Sequence, residues 1–183
     1  MAAAELAAVV FGVAYVVLAI YGRRACWIPG GISSAIYIVV FYMAGFPLQS
    51  ALQVAYVPLA VYGWVVWRVD AEKEARPASW PFSRHLLMLV CVGAATALSA
   101  PLLVRHGASV APVPESLGTW GSVVATWLIA RRCLEAWLWW IVIDASLAGL
   151  FLSQGLVPTA ALYLGFTLLA VAGWRSWSAR RAA

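Results

Sequence analysis

The chain has 183 residues, of which 64% are hydrophobic and only 10% charged, with a formal charge of +5. A soluble domain carries roughly a quarter charged residues, so an ordinary water-facing surface is excluded. The positive charge would suggest nucleic acid on a soluble protein, but here the basic residues gather at the ends of apolar runs, where membrane topology accounts for them.

A membrane-crossing helix needs about 20 residues, and seven apolar runs of suitable length follow one another. The first covers 5–22. No basic side chain precedes it and Glu5 sits where a cleavable signal wants positive charge, so it reads as part of the mature protein. Gly22-Arg23-Arg24 separates it from a second run over 28–44, with Pro29 tolerable in the first turn. Gly45-Phe46-Pro47 leads to the third, 47–67, where Pro58 removes a backbone donor and favours a kink. The polar stretch Arg68 to Arg84 precedes the fourth, 85–104. Arg105-His106-Gly107, Arg131-Arg132 and Gln154-Gly155 then bound runs at 114–130, 134–152 and 156–177. With no water in the bilayer core, each run must satisfy its own backbone, which predicts an all-α membrane protein of seven helices.

The basic residues also set an orientation. Arg23 and Arg24, then Arg68, Lys73, Arg76 and Arg84, then Arg131 and Arg132, then Arg175, Arg180 and Arg181 fall on one side, with Arg105 on the other. The positive-inside rule places the crowded side in the cytoplasm, giving an outside N-terminus and a cytoplasmic C-terminus. Cys26, Cys91 and Cys133 have no paired spacing and read as reduced thiols, not as a disulfide framework or metal site.

The two ends of the chain match at an offset of 110 residues. Gly45, Leu52, Ala60, Val61, Gly63, Trp64 and Trp67 align with Gly155, Leu162, Ala170, Val171, Gly173, Trp174 and Trp177. The same offset carries Trp27 to Trp137, Ala35 to Ala145 and Phe41 to Phe151. It moves helix one onto helix five, four crossings later, so the halves run parallel. A three-plus-one-plus-three plan follows. Repeat one covers about 5–68, a connector helix about 85–104 and repeat two about 114–178, in the manner of SWEET carriers, whose solute sites lie between repeats near the midplane.

Asp144 is the acid placed deepest in a run, and no Lys or Arg lies at its depth. A carboxylate at the bilayer centre costs roughly 2.5–3.5 kcal/mol on insertion scales, so it is protonated, paired or facing a polar cavity. Trp137, Trp140 and Asp144, spaced i, i+3 and i+7, share one helix face. Two indoles and a carboxylate suit a flat cationic ring, although Trp137 lies near the helix end and equally suits an interfacial belt. Trp64, Trp67, Trp174 and Trp177, at helix ends, read as belt residues. Ser116, Thr119, Ser122 and Thr126 form a polar stripe on helix five that the first repeat lacks; small hydroxyl residues also serve helix packing. Trp140 and Asp144 correspond to Gly30 and Ser34, so the repeats share a frame without sharing a lining. On helix three, Gln49 and Gln53 offer amides, followed by Tyr56; Thr159, Tyr163 and Phe166 stand at their equivalents. Gln53, Gln49, Ser34, Thr119, Ser122, Thr126, Trp137, Trp140 and Asp144 are the candidate solute contacts.

Other classes fit less well. A retinal protein needs a Lys in a late helix, and the single Lys, Lys73, lies in a loop. One deep Asp with His85 and His106 near helix ends does not make a proton relay. No nucleophile–base pair, metal-ligand spacing or phosphate loop is visible, which argues against an enzyme, a resident metal or a cofactor. A membrane scaffold stays open, because Gly and Ala would serve helix packing equally well.

Ala130-Arg131-Arg132 through Glu135-Ala136-Trp137-Leu138-Trp139-Trp140 to Asp144 resembles a signature of the PnuC family of nicotinamide riboside transporters. Leu52-Gln53-x-x-Tyr56 with Gly63-Trp64-x-x-Trp67 is similar to that family's third helix. The resemblance implies seven helices in SWEET-like parallel repeats, in the cell inner membrane. It implies facilitated diffusion of a vitamin precursor, trapped inside by a separate kinase. The partner would be a small cationic aromatic solute among lipid, with no nucleic acid and with homo-oligomers allowed. Ligand contacts are implied at Gln53, Trp137, Trp140 and Asp144. The family's riboside carriers usually show Asn near the first Trp motif; here that segment is Trp27-Ile28-Pro29-Gly30 and the chain has no Asn. Thiamine, riboflavin and deoxynucleosides therefore stay open as solutes.

Overall fold

The computed structural model describes residues 2–43, 47–71, 76–105, 111–153, 155 and 157–182. Among them are seven α-helices: α1 Ala2–Ile20, α2 Trp27–Met43, α3 Pro47–Ala71, α4 Phe82–Arg105, α5 Pro112–Ala130, α6 Ala136–Ser153 and α7 Val157–Ala182. All seven apolar runs are helical, and a 3-10 turn at Arg24–Cys26 leads into α2. By length and composition α1, α2, α3, α4 and α6 can cross a membrane. α7 runs past the sequence-predicted end near 177 to Ala182, and Pro58 and Pro101 sit inside α3 and α4 without ending them.

Polarity is distributed as lipid demands. Leu6, Val10, Val61, Leu98 and Leu168 face outward, whereas Ser33, Ser34, Ser50, Thr96, Ser116, Ser122 and Asp144 are buried. Burying apolar surface gains little when the surroundings are hydrocarbon, so association rests on close packing and polar contacts between helices. α2 packs on α1 and α3, α6 packs on α5 and α7, and α4 packs on α5. The two groups meet through α3 with α5 and α1 with α7.

Residues 110 positions apart do the same local work. α1 ends with a chain reversal in which Gly22 adopts φ 65°, the Gly22 N–H donates to Ala19 O and the Arg23 N–H to Leu18 O. α5 ends identically: Arg132 adopts φ 52°, its N–H donates to Ile129 O and the Cys133 N–H to Leu128 O. This is a Schellman-type C-cap, which favours glycine at the left-handed position. Arg132 accepts a cost of about 1–2 kcal/mol there, and its guanidinium stacks 4.0 Å from the Trp67 ring.

The Trp residues read from sequence as interfacial belt behave differently. Trp67 and Trp177 are 0% and 1% exposed. Trp27 stands edge-on to Trp67 and Trp137 edge-on to Trp177, each with centroids 5.5 Å apart at 85°. Trp67 and Trp177 then meet at 6.1 Å. Each such ring pair adds about 0.5–1.5 kcal/mol beyond area burial. The Trp67 indole N–H donates to Ala130 O and that of Trp177 to Ala19 O, both at 3.0 Å. These two residues therefore fasten the groups of helices to each other, α3 to α5 and α7 to α1. Trp64 and Trp174 are partly buried against the same core, and Arg24 lies 3.6 Å above the Trp64 ring.

Room for the rings comes from glycine. A Cβ on Gly63 would overlap the Trp27 ring, and one on Gly173 would overlap the Trp137 ring. The Gly-Trp-x-x-Trp repeat thus combines a notch for one indole with a second indole that crosses between the groups.

The segment before α4 is pinned to the turn before α6. The Ala78 N–H donates to Arg132 O at 2.9 Å and the Leu134 N–H to Ala78 O at 2.8 Å. Glu135 accepts from the Ser79 hydroxyl, from the Trp80 N–H at 3.1 Å and from the Cys133 thiol at 3.0 Å. Burial alone would push its carboxyl up; the bonds from Ser79, Cys133 and backbone N–H groups outweigh it and hold the group below its usual range.

Gly63→Ala and Gly173→Ala are each expected to cost about 1–3 kcal/mol through overpacking, read as a lower Tm of the detergent-solubilised chain. Pairing Gly63→Ala with Trp27→Phe should recover part of the loss, and no shift in either single variant would contradict the notch. Because the Glu135 carboxyl is depressed on folding, its stabilisation is complete above the unfolded carboxylate range and is lost as pH falls through the folded value. Wild type should therefore lose more Tm on acidification than Glu135→Gln, both measured in chelator.

Candidate functional site

α3, α5, α6 and α7 each place a polar side chain in the interior. Asp144, on α6, is 5% exposed. The Tyr56 phenol on α3 meets the hydroxyls of Ser122 and Thr126 on α5 and lies in the field of Asp144. Tyr163 on α7 lies in the field of Asp144 as well, and of Tyr37 on α2. Tyr15 on α1, whose hydroxyl is buried without a hydrogen-bond partner, shares the field of Tyr56. The Asp144 carboxyl thus has a phenol from α3 and another from α7 within its field, with the α5 hydroxyls against the first and Tyr15 and Tyr37 beyond them.

The sequence candidates divide accordingly. Ser122, Thr126 and Asp144 converge with Tyr56. Thr119 is buried, but its hydroxyl donates to Glu115 O on its own helix at 2.9 Å, so it serves the backbone of α5. Ser116, on the same stripe, has a buried hydroxyl with no hydrogen-bond partner. Ser34 is buried on α2, while Gln49 and Gln53 are half-buried on α3, Gln53 one turn before Tyr56. Trp137 lies in the tryptophan core against Gly173 and Trp177, its indole N–H buried without a hydrogen-bond partner. Trp140 packs on that core from one turn before Asp144. Thr159 lies where side chains are outside the described set. An apolar groove of about 590 Å³ between Ala4 and Met43 is lined by none of these groups.

The phenols are what sequence reading passed over as contacts. Tyr163 stands 110 positions after Gln53, so both members of that matched pair carry a hydrogen-bonding side chain. Tyr15 and Tyr37 offered no such cue, being flanked on both sides by apolar residues.

A family model described as nicotinamide mononucleotide transporter matches residues 2–179. The chain belongs to this family. The nicotinamide riboside transporter PnuC of Escherichia coli (strain K12) is 24% identical over 175 residues, covering 81% of this chain and 73% of the relative. The riboflavin/roseoflavin transporter RibM of Streptomyces davaonensis is 24% identical over 171 residues, covering 88% of this chain and 79% of the relative. A crystal structure of the vitamin B3 transporter PnuC superposes with a TM-score of 0.76 at 23% identity, covering 98% of this chain and 82% of the other. The fold is therefore that of PnuC. A member of this transporter family is a multi-pass membrane protein that moves a small vitamin-type solute and is not an enzyme, and the enclosed polar interior is its candidate solute site.

Tyr56→Phe removes the phenol that meets Ser122 and Thr126 and leaves the ring. Solute affinity should fall about 2- to 10-fold, the worth of one ordinary hydrogen bond, in a chain that still folds. Equal affinity in both forms would place the solute elsewhere.

Proposed function

We propose that this chain is a uniporter for nicotinamide riboside, moving it down its gradient across the cell inner membrane, with trapping by a separate intracellular kinase. The observation that carries this reading is Asp144, one buried carboxyl whose field reaches Tyr56 and Tyr163, with the α5 hydroxyls of Ser122 and Thr126 against Tyr56. A pyridinium ring brings a positive charge to that carboxyl, aromatic faces for the tyrosines and, on its ribose, hydroxyls for Ser122, Thr126 and Gln53. Trp140, one turn from Asp144, offers a further π face. A bound cation also removes the cost of a carboxylate in hydrocarbon, so the solute and the site stabilise each other.

The reading includes a plan for the helices. α1 to α3 and α5 to α7 form parallel repeats, about 5–68 and 114–178, with α4 as the connector over about 85–104. The equivalent C-caps at Gly22 and Arg132 and the equivalent Trp–Gly seats support it. The N-terminus then lies outside and the arginine-rich ends of the helices in the cytoplasm.

A second solute, riboflavin, has two observations in its favour. RibM matches this chain as well as the riboside transporters do. The interior is also richer in phenols than in charge, and a neutral flavin would use ring stacking and hydrogen bonds without the carboxyl.

Vesicles holding the purified chain and no kinase should equilibrate labelled nicotinamide riboside and stop at equal concentrations. Asp144→Asn should slow uptake of cationic nicotinamide riboside and thiamine about tenfold or more and leave riboflavin uptake near wild type. Uptake of riboflavin alone, insensitive to Asp144→Asn, would transfer the assignment to the flavin. Vesicles that take up none of these solutes would leave a scaffold role.

A further inference from the structure

At the arginine-rich end, outside the group of polar side chains around Asp144, three side chains of metal-ligand type converge. His85 is in the first turn of α4, and Cys133 and Glu135 lie in the turn between α5 and α6. His85 Nε2, Cys133 Sγ and a Glu135 oxygen all lie within 4.8 Å of one another. The thiol is 3.0 Å from Glu135 Oε2 and the imidazole Nε2 is 3.8 Å from the same oxygen. No spacing motif announces the group, since 48 residues separate His85 from Cys133. The fold brings them together by pinning the segment at Ala78–Trp80 onto the α5–α6 turn.

Glu135 by itself is explained as the fastening of that segment. His85 is not. The residue is 9% exposed, yet its Nε2 is fully enclosed and has no hydrogen-bond partner. The gap to Oε2 is too long for a hydrogen bond. The sulfur of a fully buried cysteine lies 3.0 Å from the same oxygen. An enclosed imidazole nitrogen aimed at a carboxylate–thiol pair is a feature that protein contacts leave incomplete.

We propose that His85, Cys133 and Glu135 form a binding site for a divalent cation of the zinc class, tying the start of α4 to the α5–α6 turn. The proposal is independent of the solute reading.

The donor chemistry selects the ion. One thiolate, one imidazole and one carboxylate suit zinc or cobalt over magnesium or calcium, which want oxygen alone. Zinc bonds of roughly 2.0–2.3 Å put tetrahedral donors roughly 3.3–3.8 Å apart, and the separations here require only small side-chain movements. Charge balances too: thiolate and carboxylate together neutralise a divalent ion, so the loaded site carries no net charge into the edge of the bilayer. Glu135 keeps 17% of its side chain exposed, leaving a path for a water as fourth ligand.

Loading moves two protons. Burial and the neighbouring carboxylate push the Cys133 thiol up to about 12, so it holds its proton at neutral pH. Coordination forms the sulfur–metal bond and releases that proton to solvent. The second proton shifts on the imidazole. Trp139 donates its indole N–H to His85 Nδ1 at 3.3 Å, which leaves the imidazole proton on Nε2. Coordination through Nε2 moves it to Nδ1 and breaks the indole contact. Trp139 is therefore a competitor of the metal, and removing its N–H favours binding.

The test uses the full-length chain in detergent, stripped with chelator and titrated with Co²⁺ alone. The expected result is one equivalent bound, with thiolate-to-cobalt charge-transfer absorption that Zn²⁺ bleaches. Cys133→Ser should abolish that absorption. His85→Gln should weaken Co²⁺ binding on the order of tenfold or more, a second readout that leaves the buried thiol untouched. Trp139→Phe should tighten binding several-fold. No charge-transfer absorption in the wild-type chain would overturn the proposal. Absorption that survives Cys133→Ser would do so too, by assigning it to Cys26 or Cys91, as would unchanged affinity in His85→Gln.

Discussion

In a bilayer, lipid tails solvate leucine as well as a protein core does, so apolar burial cannot hold these helices together. What remains is close contact between surfaces that fit and polar groups with no other partner. The tryptophan core answers both demands. Four indoles run in the order Trp27, Trp67, Trp177, Trp137, two seated over glycines and two donating across to a carbonyl of the opposite helix group. Guanidiniums of Arg132 and Arg180 lie over Trp67 and Trp177 and close the assembly toward solvent. The outer helix faces can then be chosen for lipid alone.

The same constraint shapes the interior. Hydroxyls, phenols and one carboxyl occupy a space where each unsatisfied group is expensive, and among the described residues no Lys or Arg offsets the Asp144 carboxyl. Positions 110 apart share local packing without sharing a lining: Asp144 stands 110 positions after Ser34, and Tyr163 110 after Gln53. Unlike side chains at matched positions let similar helices line a site for an unsymmetrical molecule.

Much of this was legible in the amino-acid order. Helix number and approximate bounds follow from apolar runs broken by arginine, glycine and proline, because lipid permits little else. Asp144 stood out because a deep carboxyl is costly, and Ser122 and Thr126 because they fall on one polar stripe of an apolar helix. The tryptophans misled. At helix ends a belt and a buried core read alike, and only the glycine four positions before each crossing indole hinted that a ring needed room. Tyr15 and Tyr37 were invisible because a tyrosine in an apolar run looks like lipid-facing bulk until the helix is rotated into place. His85 and Cys133 were missed for another reason: a loop hydrogen-bonded to a distant turn leaves no periodic trace.

The two crossing indole bonds are reciprocal: Trp67 reaches from α3 to α5 and Trp177 from α7 to α1. A carrier must rock its halves against each other to expose a solute alternately to two compartments. Rocking that parts the far ends can keep both bonds and use them as a pivot. Rocking that parts the near ends must break both at once, stranding two buried donors at about 1–3 kcal/mol each. The two half-cycles of such a molecule are therefore unequal in their mechanical demands, and the stiffer one is set by a pair of indole nitrogens.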